Sequence, residues 1–426
     1  MARLLLATFG SYGDLFPYIA VGTELQRRGH GVTIATSGLY REAVEREGLG
    51  FHAVRPDISL DDREKIAQVM DVRHGSERLV RYLASMIRDS YEDFLAAADS
   101  ADAILTHPAT PAAVLVAQKL SHVSRAKLWI SSILAPLSLF SAYDPPVLSP
   151  APWLHSLRFL GPRFMRAIFA FGERQSLEWV RPILDLQREL GLSDAGHPFF
   201  SGQHSPSAVL ALFSRRIASP QPDWPAQTLV TGFPFFDRGG LSPELESFLA
   251  AGPAPVVFTL GSSAVGAARE FYVHSLRAIE RLGVRAVFLT GSHPQGLPQN
   301  LPKGALAIAY APHGALFARA SVIVHQGGIG TTAQAMRAGR PMLVVPFAHD
   351  QYDNAERVRR LSVAEVLPHA KYGSKSAEQI LQRLLSDSDY RKAAATLGKQ
   401  IDQENGSVNA GDAIEATLNR IGVTRS

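Results

Sequence analysis

The sequence predicts an α/β protein made of two doubly wound parallel-sheet domains. Three observations carry this expectation. Short apolar runs alternate with helix-period segments from residue 4 onward. The same alternation begins again at residue 256, and a glycine-rich break, Arg238-Gly-Gly-Leu-Ser-Pro, separates the two series. At 426 residues the chain suits two domains of ordinary size, each able to bury its own core.

In order, 4–9 reads as a strand, Gly10-Ser-Tyr-Gly-Asp as a turn, 15–28 as a helix closed by Gly29-His-Gly, and 32–36 as the second strand. Strand, helix, strand in one sheet implies a right-handed parallel crossover. A helix over 41–47, a strand over 51–54, a long helical stretch over 78–98, a strand over 103–106, a helix over 112–120 and a strand over 127–131 continue the pattern. From 134 to 173 it breaks, with prolines spread among Phe, Trp, Leu and Tyr, and the region reads as irregular and apolar. There Trp153, Phe159, Phe164, Phe169 and Phe171 mix with Arg158, Arg163 and Arg166. Two readings fit: a greasy pocket or membrane-apposed lip, or ordinary core packing with solvated arginines. Pro162 argues against one continuous interfacial helix. Strands over 209–213 and 229–232 follow. The second series has strands over 256–260, 286–290, 305–309, 320–324 and 342–345, helices over 270–282 and 333–338, and a helical tail over 377–385, 389–403 and 410–421.

Composition is that of a globular chain, 46% hydrophobic and 19% charged. The absence of cysteine excludes disulfides and thiolate metal sites and permits a reducing cytoplasm without requiring it. A formal charge of +4 and a pI near 9.3 suit an anionic small molecule or a lipid surface at least as well as nucleic acid. With no lysine-rich tail, nucleic acid is not expected as a partner. The apolar N-terminal run is too short for a signal peptide or a membrane span and leads straight into a turn.

The chemistry concentrates between residues 310 and 360. A buried strand ends in His325-Gln-Gly-Gly-Ile-Gly-Thr-Thr before a helix start. Such a junction makes an anion site: glycine lets the backbone approach closely, free N–H groups point outward, and the helix dipole favours negative charge. His325 can donate to a phosphate oxygen, Gly327, Gly328, Gly330 and Thr331 offer N–H groups, and Thr331 and Thr332 offer hydroxyls. At the next strand end Asp350 and Gln351 are adjacent. A carboxylate accepts and an amide both accepts and donates, which suits vicinal sugar hydroxyls, although such a pair also serves as a turn or helix cap. Neither half matches GxGxxG, and GxxxxGK[ST] is absent, which disfavours a dinucleotide oxidoreductase and a P-loop NTPase.

Taken together, APH (311–313), HQGGIGTT (325–332) and GRPMLVVPFAHDQYDNAERV (339–358) resemble the donor-binding signature of the nucleotide-sugar glycosyltransferases. That family includes plant secondary-metabolite, macrolide, sterol and rhamnolipid-type enzymes. FGSYGDLFPYIAVGTELQRRGHGVTIAT (9–36) is similar to the family's opening, and Asp223-Trp-Pro with Thr231-Gly-Phe-Pro-Phe-Phe-Asp is similar to its bacterial rhamnosyltransferase branch. The resemblance implies the GT-B fold, two Rossmann-like domains facing across a cleft. It would place an acceptor domain at 1–237, a nucleotide-sugar domain at 238–405, and a helix at 406–426 packing back toward the first. It further implies an inverting enzyme that moves a hexose from a UDP-sugar or dTDP-sugar, dTDP-rhamnose included, to a hydroxyl of a lipophilic small molecule or lipid. No metal or other cofactor is expected, and the location implied is cytoplasmic or peripheral at the inner face of the membrane. A nucleotide-sugar epimerase or hydrolase on the same fold, and a non-catalytic sugar- or lipid-binding relative, are the competing readings.

Position by position, the resemblance implies that His325 contacts the pyrophosphate, that Gly330 and Thr331 hold its oxygens beside Gly327, Gly328 and Thr332, and that Gly261 and Ser262 approach from the facing turn. Asp350 and Gln351 would hold sugar hydroxyls, with Asn354 near the diphosphate. Tyr310, Ala311 and His313 fall at the base pocket, where plant relatives have Trp for Tyr310 and Gln for His313; tyrosine can still stack on a pyrimidine. A ribose-binding Glu found in many members is Ala333 here. An attacking hydroxyl must lose its proton, so a base belongs at the mouth of the first turn. Plant relatives carry His in GHxxP; the aligned residues here are Gly13-Asp-Leu-Phe-Pro, which makes Asp14 the candidate base. The plainer reading of Asp14 is an N-cap for the helix near Leu15. His107 lies near where plant relatives support their base. Asp61-Asp62 reads as a cap, and positive help for the leaving diphosphate is expected from the helix dipole and His325.

Overall fold

Strands covered on both faces are buried along their whole length, and the central strands here are, Ala103–Thr106, Val256–Thr259 and Ala286–Leu289 among them. In the computed structural model, which describes residues 1–57, 63–123, 127–192, 196–237, 239–261, 269–291 and 296–422, two sheets form. The first contains β1 (Arg3–Ala7), β2 (Gly31–Thr36), β3 (Gly50–Ala53), β4 (Ala103–Thr106), β5 (Leu128–Ile133), β6 (Val209–Ala211) and β7 (Thr228–Val230), in the order β3-β2-β1-β4-β5-β6-β7. The second contains β8 (Val256–Thr259), β9 (Ala286–Leu289), β10 (Ala305–Ile308), β11 (Val322–His325), β12 (Met342–Val344) and β13 (Ala364–Val366), in the order β10-β9-β8-β11-β12-β13. Their pairings are parallel. This is the GT-B architecture of two Rossmann-like domains. In each sheet the direction of strand addition reverses once, between β1 and β4 and between β8 and β11. Loops leaving those neighbouring strands diverge and open a crevice at the carboxyl ends.

The helices that precede β8 are α1 (Tyr12–Arg27), α2 (Arg41–Glu45), α3 (Arg63–Val69), α4 (Gly75–Ser85), α5 (Ile87–Ala98), α6 (Pro111–Val123), α7 (Pro162–Gln175), α8 (Arg181–Glu189) and α9 (Pro243–Ala250). After it come α10 (Arg269–Leu282), α11 (His313–Phe317), α12 (Ile329–Arg337), α13 (Gln351–Arg360), α14 (Ser374–Ser386), α15 (Ser388–Asp402) and α16 (Gly406–Ile421). Some expectations need correction. The stretch 78–98 is two helices, with the break at Met86 letting Leu83 and Ala84 on one and Ile87 and Phe94 on the other all reach the core. Residues 134–173 are not irregular throughout: they hold 3-10 segments at Pro136–Leu139 and Pro152–Leu160 and most of α7. Their prolines fit because Pro136, Pro152 and Pro162 each open a segment, where the missing N–H has no partner to lose. β13 is too short, and α13 too charged, to show a period of its own. Asp61, Asp62, Arg238 and Ser262 lie outside the described residues. Among the described residues no helix is long and apolar enough to cross a membrane.

Several ties join the two halves, three of them structural. α16 packs on α1, where Arg28 bonds Asp412 and Glu415 at 2.7 Å each and His30 reaches Glu415 at 3.0 Å. On another flank Ile66 and Met70, on and just after α3, share a buried cluster with Phe347, Leu367 and Tyr372 beside the second sheet. The third tie is a buried ion cluster. Arg357 of α13, only 3% exposed, donates to Asp353 on its own helix, to Asp144 and to the Ile217 carbonyl. Arg360 also bonds Asp144, and the Val147 N–H donates to Asp353 at 3.1 Å. Burial alone would raise Asp144, but the two arginines outweigh it and hold the carboxyl below its ordinary range. Arg357→Met leaves the buried Asp353 without its cation and Asp144 with Arg360 alone, so it is expected to cost about 3 to 5 kcal/mol of unfolding free energy. Chemical denaturation checks this, and Asp144→Asn, which leaves Arg357 paired with Asp353, should cost less.

Candidate active site

The first crevice is built by the turn after β1. Gly10, at φ +133°, is required there: a Cβ at this position would lie 2.3 Å from Asp14 Oδ2. Ser11, not Asp14, is the N-cap of α1, which starts at Tyr12. Asp14 is the third helical residue and closes a capping box, its Oδ2 accepting from the Ser11 N–H at 2.7 Å and from Ser11 Oγ at 3.1 Å. This corrects the simple cap reading, and Ser-x-x-Asp is a signal the sequence offered for it. Oδ1 makes none of these bonds and faces His107 Nε2 at 3.9 Å. His107 follows β4, directly across the reversal point. Its Nδ1 accepts from the Ala109 N–H at 3.1 Å, which puts the ring proton on Nε2, toward Asp14.

Burial raises Asp14 from its ordinary value to about 6, with the Ser11 bonds opposing the shift. The side chain keeps 32% exposure, and most of the protein around it still excludes bulk water. Burial also pushes His107 down to about 3, so the imidazole is neutral and the Asp14–His107 contact is a donor facing an acceptor, not an ion pair.

The second crevice lies at the ends of β8 and β11. His325 is fully buried, and its Nδ1 accepts from the Gly327 N–H at 3.1 Å. The ring proton is therefore on Nε2, a buried donor without a partner among the described residues. Burial, and after it the neighbouring His313, push His325 down to about 3. It is thus a neutral donor, where a positive charge was expected. Gly327, at φ +93°, leaves room for Gln351, whose carbonyl oxygen would be 2.9 Å from a Cβ there. A Cβ on Gly261, at φ +62°, would lie nearer still to Gln326, 2.4 Å from its Nε2. α12 then begins at Ile329 and offers the N–H groups of its first turn. Thr332 spends its hydroxyl on the Gly328 carbonyl at 3.0 Å, while Thr331 makes no such bond among the described residues.

The two crevices face one another. A Cβ on Gly330 would come within 3.3 Å of Gly13 Cα, so the N-termini of α1 and α12 meet across the gap. Pro17 inside α1 cannot donate to the Gly13 carbonyl, which is left turned toward Gly330. Asp350 precedes α13 and joins the same gap: burial raises it to about 7, Asn354 opposes the rise, and the charge of Asp14 adds to it.

Asn354 is fully buried and braces the site, its Nδ2 donating to the Gly327 carbonyl at 2.9 Å and to Asp350 Oδ2 at 2.7 Å. Gln351 Oε1 is occupied by the Phe347 and Ala348 N–H groups at 2.8 and 3.1 Å. Tyr310 is 62% exposed just beyond the end of β10, two strands away from the reversal point. Ala311 is buried, and His313 stacks on Phe317 at 4.5 Å. His349, which sequence reasoning missed, has φ +54° and bonds Ser76 Oγ at 3.2 Å across the two domains. No local pattern announces that contact. Among the described residues no group of three or more His, Asp or Glu gathers as a metal site would.

Comparison with known proteins agrees with this geometry. The model of the glycosyltransferase family 28 N-terminal domain matches residues 4–117, and that of the erythromycin biosynthesis protein CIII-like C-terminal domain matches 284–407. O-mycaminosyltylonolide 6-deoxyallosyltransferase of Streptomyces fradiae is 31% identical over 436 residues, covering 96% of each chain. A sterol 3-beta-glucosyltransferase of Cryptococcus neoformans is 26% identical over 98% of this chain but only 27% of its own greater length. Among solved structures, the glycosyltransferase VinC, in complex with dTDP, superposes with a TM-score of 0.68 at 20% identity, over 98% of this chain and all of that one. The chain is an enzyme and belongs to the nucleotide-sugar glycosyltransferases of the GT-B fold.

Proposed function

We propose that the enzyme is an inverting hexosyltransferase that moves a sugar from a nucleoside diphosphate, UDP or dTDP, to a hydroxyl of a lipophilic small molecule or lipid. One observation carries the reading: Asp14, whose Oδ1 takes none of the Ser11 bonds, follows Gly13, which meets Gly330 at the N-terminus of α12, and that helix is entered from His325, whose Nε2 is a buried donor without a partner among the described residues. The acceptor O–H gives its proton to Asp14 Oδ1 as the oxygen forms its bond to the anomeric carbon. The bond from that carbon to the diphosphate oxygen breaks on the opposite face, which inverts the centre. The departing electron pair stays on the diphosphate, met by the α12 N-terminus and the His325 Nε2–H. His107 steadies the base; its Nε2 must move about 1 Å closer to Oδ1 for a direct hydrogen bond, a shift that side-chain rotation within the same domain can provide.

The relatives support the substrate classes. One is named for a 6-deoxyhexosyl transfer and another for a sterol, and VinC holds dTDP. A dTDP-linked 6-deoxyhexose such as rhamnose is therefore the first donor to try. Calorimetry with UDP, dTDP and their sugars tests the reading: saturable binding of either diphosphate supports it, and binding of neither overturns it. The pH profile gives a second check. A base must be ionised, so kcat/KM of the free enzyme is expected to be level above about pH 6 and to fall about tenfold per unit below it. A profile flat to pH 4 would remove Asp14 from the role.

A further inference from the structure

We propose that the face formed by Pro152–Leu160 and α7 docks on an anionic lipid bilayer. Large apolar side chains crowd it: Trp153 is 65% exposed, Phe159 77%, Leu160 48%, Phe164 39% and Phe171 65%. Successive helical residues turn by about 100°, so Phe164, Ala167 and Phe171 share one stripe of α7. The opposite stripe, with Met165 and Phe169, anchors the helix on a small cluster with Ala142, separate from the main cores. α7 thus has an inner apolar face that is already satisfied and an outer one that faces solvent. Exposed aromatic clusters of this kind mark contact surfaces.

Charge selects the occupant. Arg158, Arg163, Arg166 and Arg174 are exposed on the same two segments, and their side chains make no hydrogen bond or ion pair among the described residues. Glu173 is the only acid between 152 and 175. A two-fold pairing of copies would set this cationic face against itself. A bilayer with anionic headgroups instead takes the aromatic rings at its interface and the arginines at its phosphates. The face is fixed to the cleft rim: His155 Nδ1 donates to the Pro145 carbonyl at 3.0 Å, and the adjacent Asp144 is held by Arg357 of α13. A lipophilic acceptor could then pass from the bilayer to the gap, a consequence that rests on the function proposed above, whereas the docking itself does not.

The test is co-sedimentation of the full chain with vesicles of phosphatidylcholine containing about a third phosphatidylserine. Binding is expected at low salt, with about fivefold loss for each arginine changed to glutamine and sharp weakening at about 1 M salt. The combined variant Trp153→Ser, Phe159→Ser and Phe171→Ser should bind at least about tenfold more weakly while keeping the parent's affinity for nucleoside diphosphate, which shows that it is folded. No binding by the parent, or equal binding by the variant, overturns the proposal. So does a dimer, seen by sedimentation, that the variant dissolves in a chain that ignores vesicles. Diphosphate calorimetry reads the catalytic cleft separately, so either proposal can fail alone.

Discussion

Asp14→Asn is expected to lower kcat by about a thousandfold while leaving nucleoside-diphosphate affinity within about twofold of the parent. The substitution is nearly isosteric, and the amide oxygen can still accept from the Ser11 N–H and hydroxyl, so the capping box at the start of α1 survives. What disappears is the capacity to take a proton at Oδ1. Stability separates this from unfolding. Because burial raises Asp14 from 3.8 to about 6 in the folded chain, the carboxyl's contribution to stability is complete below its unfolded value and is lost as pH rises through the folded one. At pH 7 the ionised carboxyl is thus a cost that asparagine removes. The variant's Tm at that pH should equal or exceed the parent's, as is common where a functional group is held at the expense of stability. Full turnover would reduce Asp14 to the second half of a capping box.

His325→Ala is expected to weaken nucleoside-diphosphate binding by about 10- to 100-fold, the loss of one hydrogen bond to a charged group. The ring's Nδ1 is committed to Gly327, so its only free polar atom is Nε2, and that atom is buried without a partner. A buried donor is costly unless something fills the place, and an oxygen of a diphosphate fits both its polarity and the facing helix N-terminus. The loss should be equal for UDP and dTDP, since both share the diphosphate. Tyr310→Ala, by contrast, should affect them unequally if the ring meets the base. Calorimetry on both ligands decides. Unchanged affinity for both after His325→Ala would remove the histidine from the diphosphate site.

Much of the site could be read along the chain because its parts are local. A strand end, a glycine that must adopt positive φ, and a helix start lie within a few residues of each other at 325–332 and again at 8–14, and spacing alone marks them. The Ser11 cap is equally local, and the Ser-x-x-Asp pattern is its signal, though the carboxyl beside it is more conspicuous. α7 escaped because prolines obscured its start, although the first turn of a helix is where proline is tolerated.

The order of residues marks the alternating α/β halves, the two glycine-rich turns, the family, and Asp14, His325 and Asp350 as the residues to watch. How they act depends on what folding brings beside them. Folding set Asp14 against His107, Gly13 against Gly330, and His349 against Ser76. It made His325 and His107 neutral donors and raised the Asp14 carboxyl to about 6. It also gave Gln351 Oε1 and Asn354 Nδ2 partners within the loops of the site. The reason is physical: strand and helix patterns depend on neighbours in sequence, whereas a proton's affinity and a side chain's free lone pair depend on burial and on partners brought close through space.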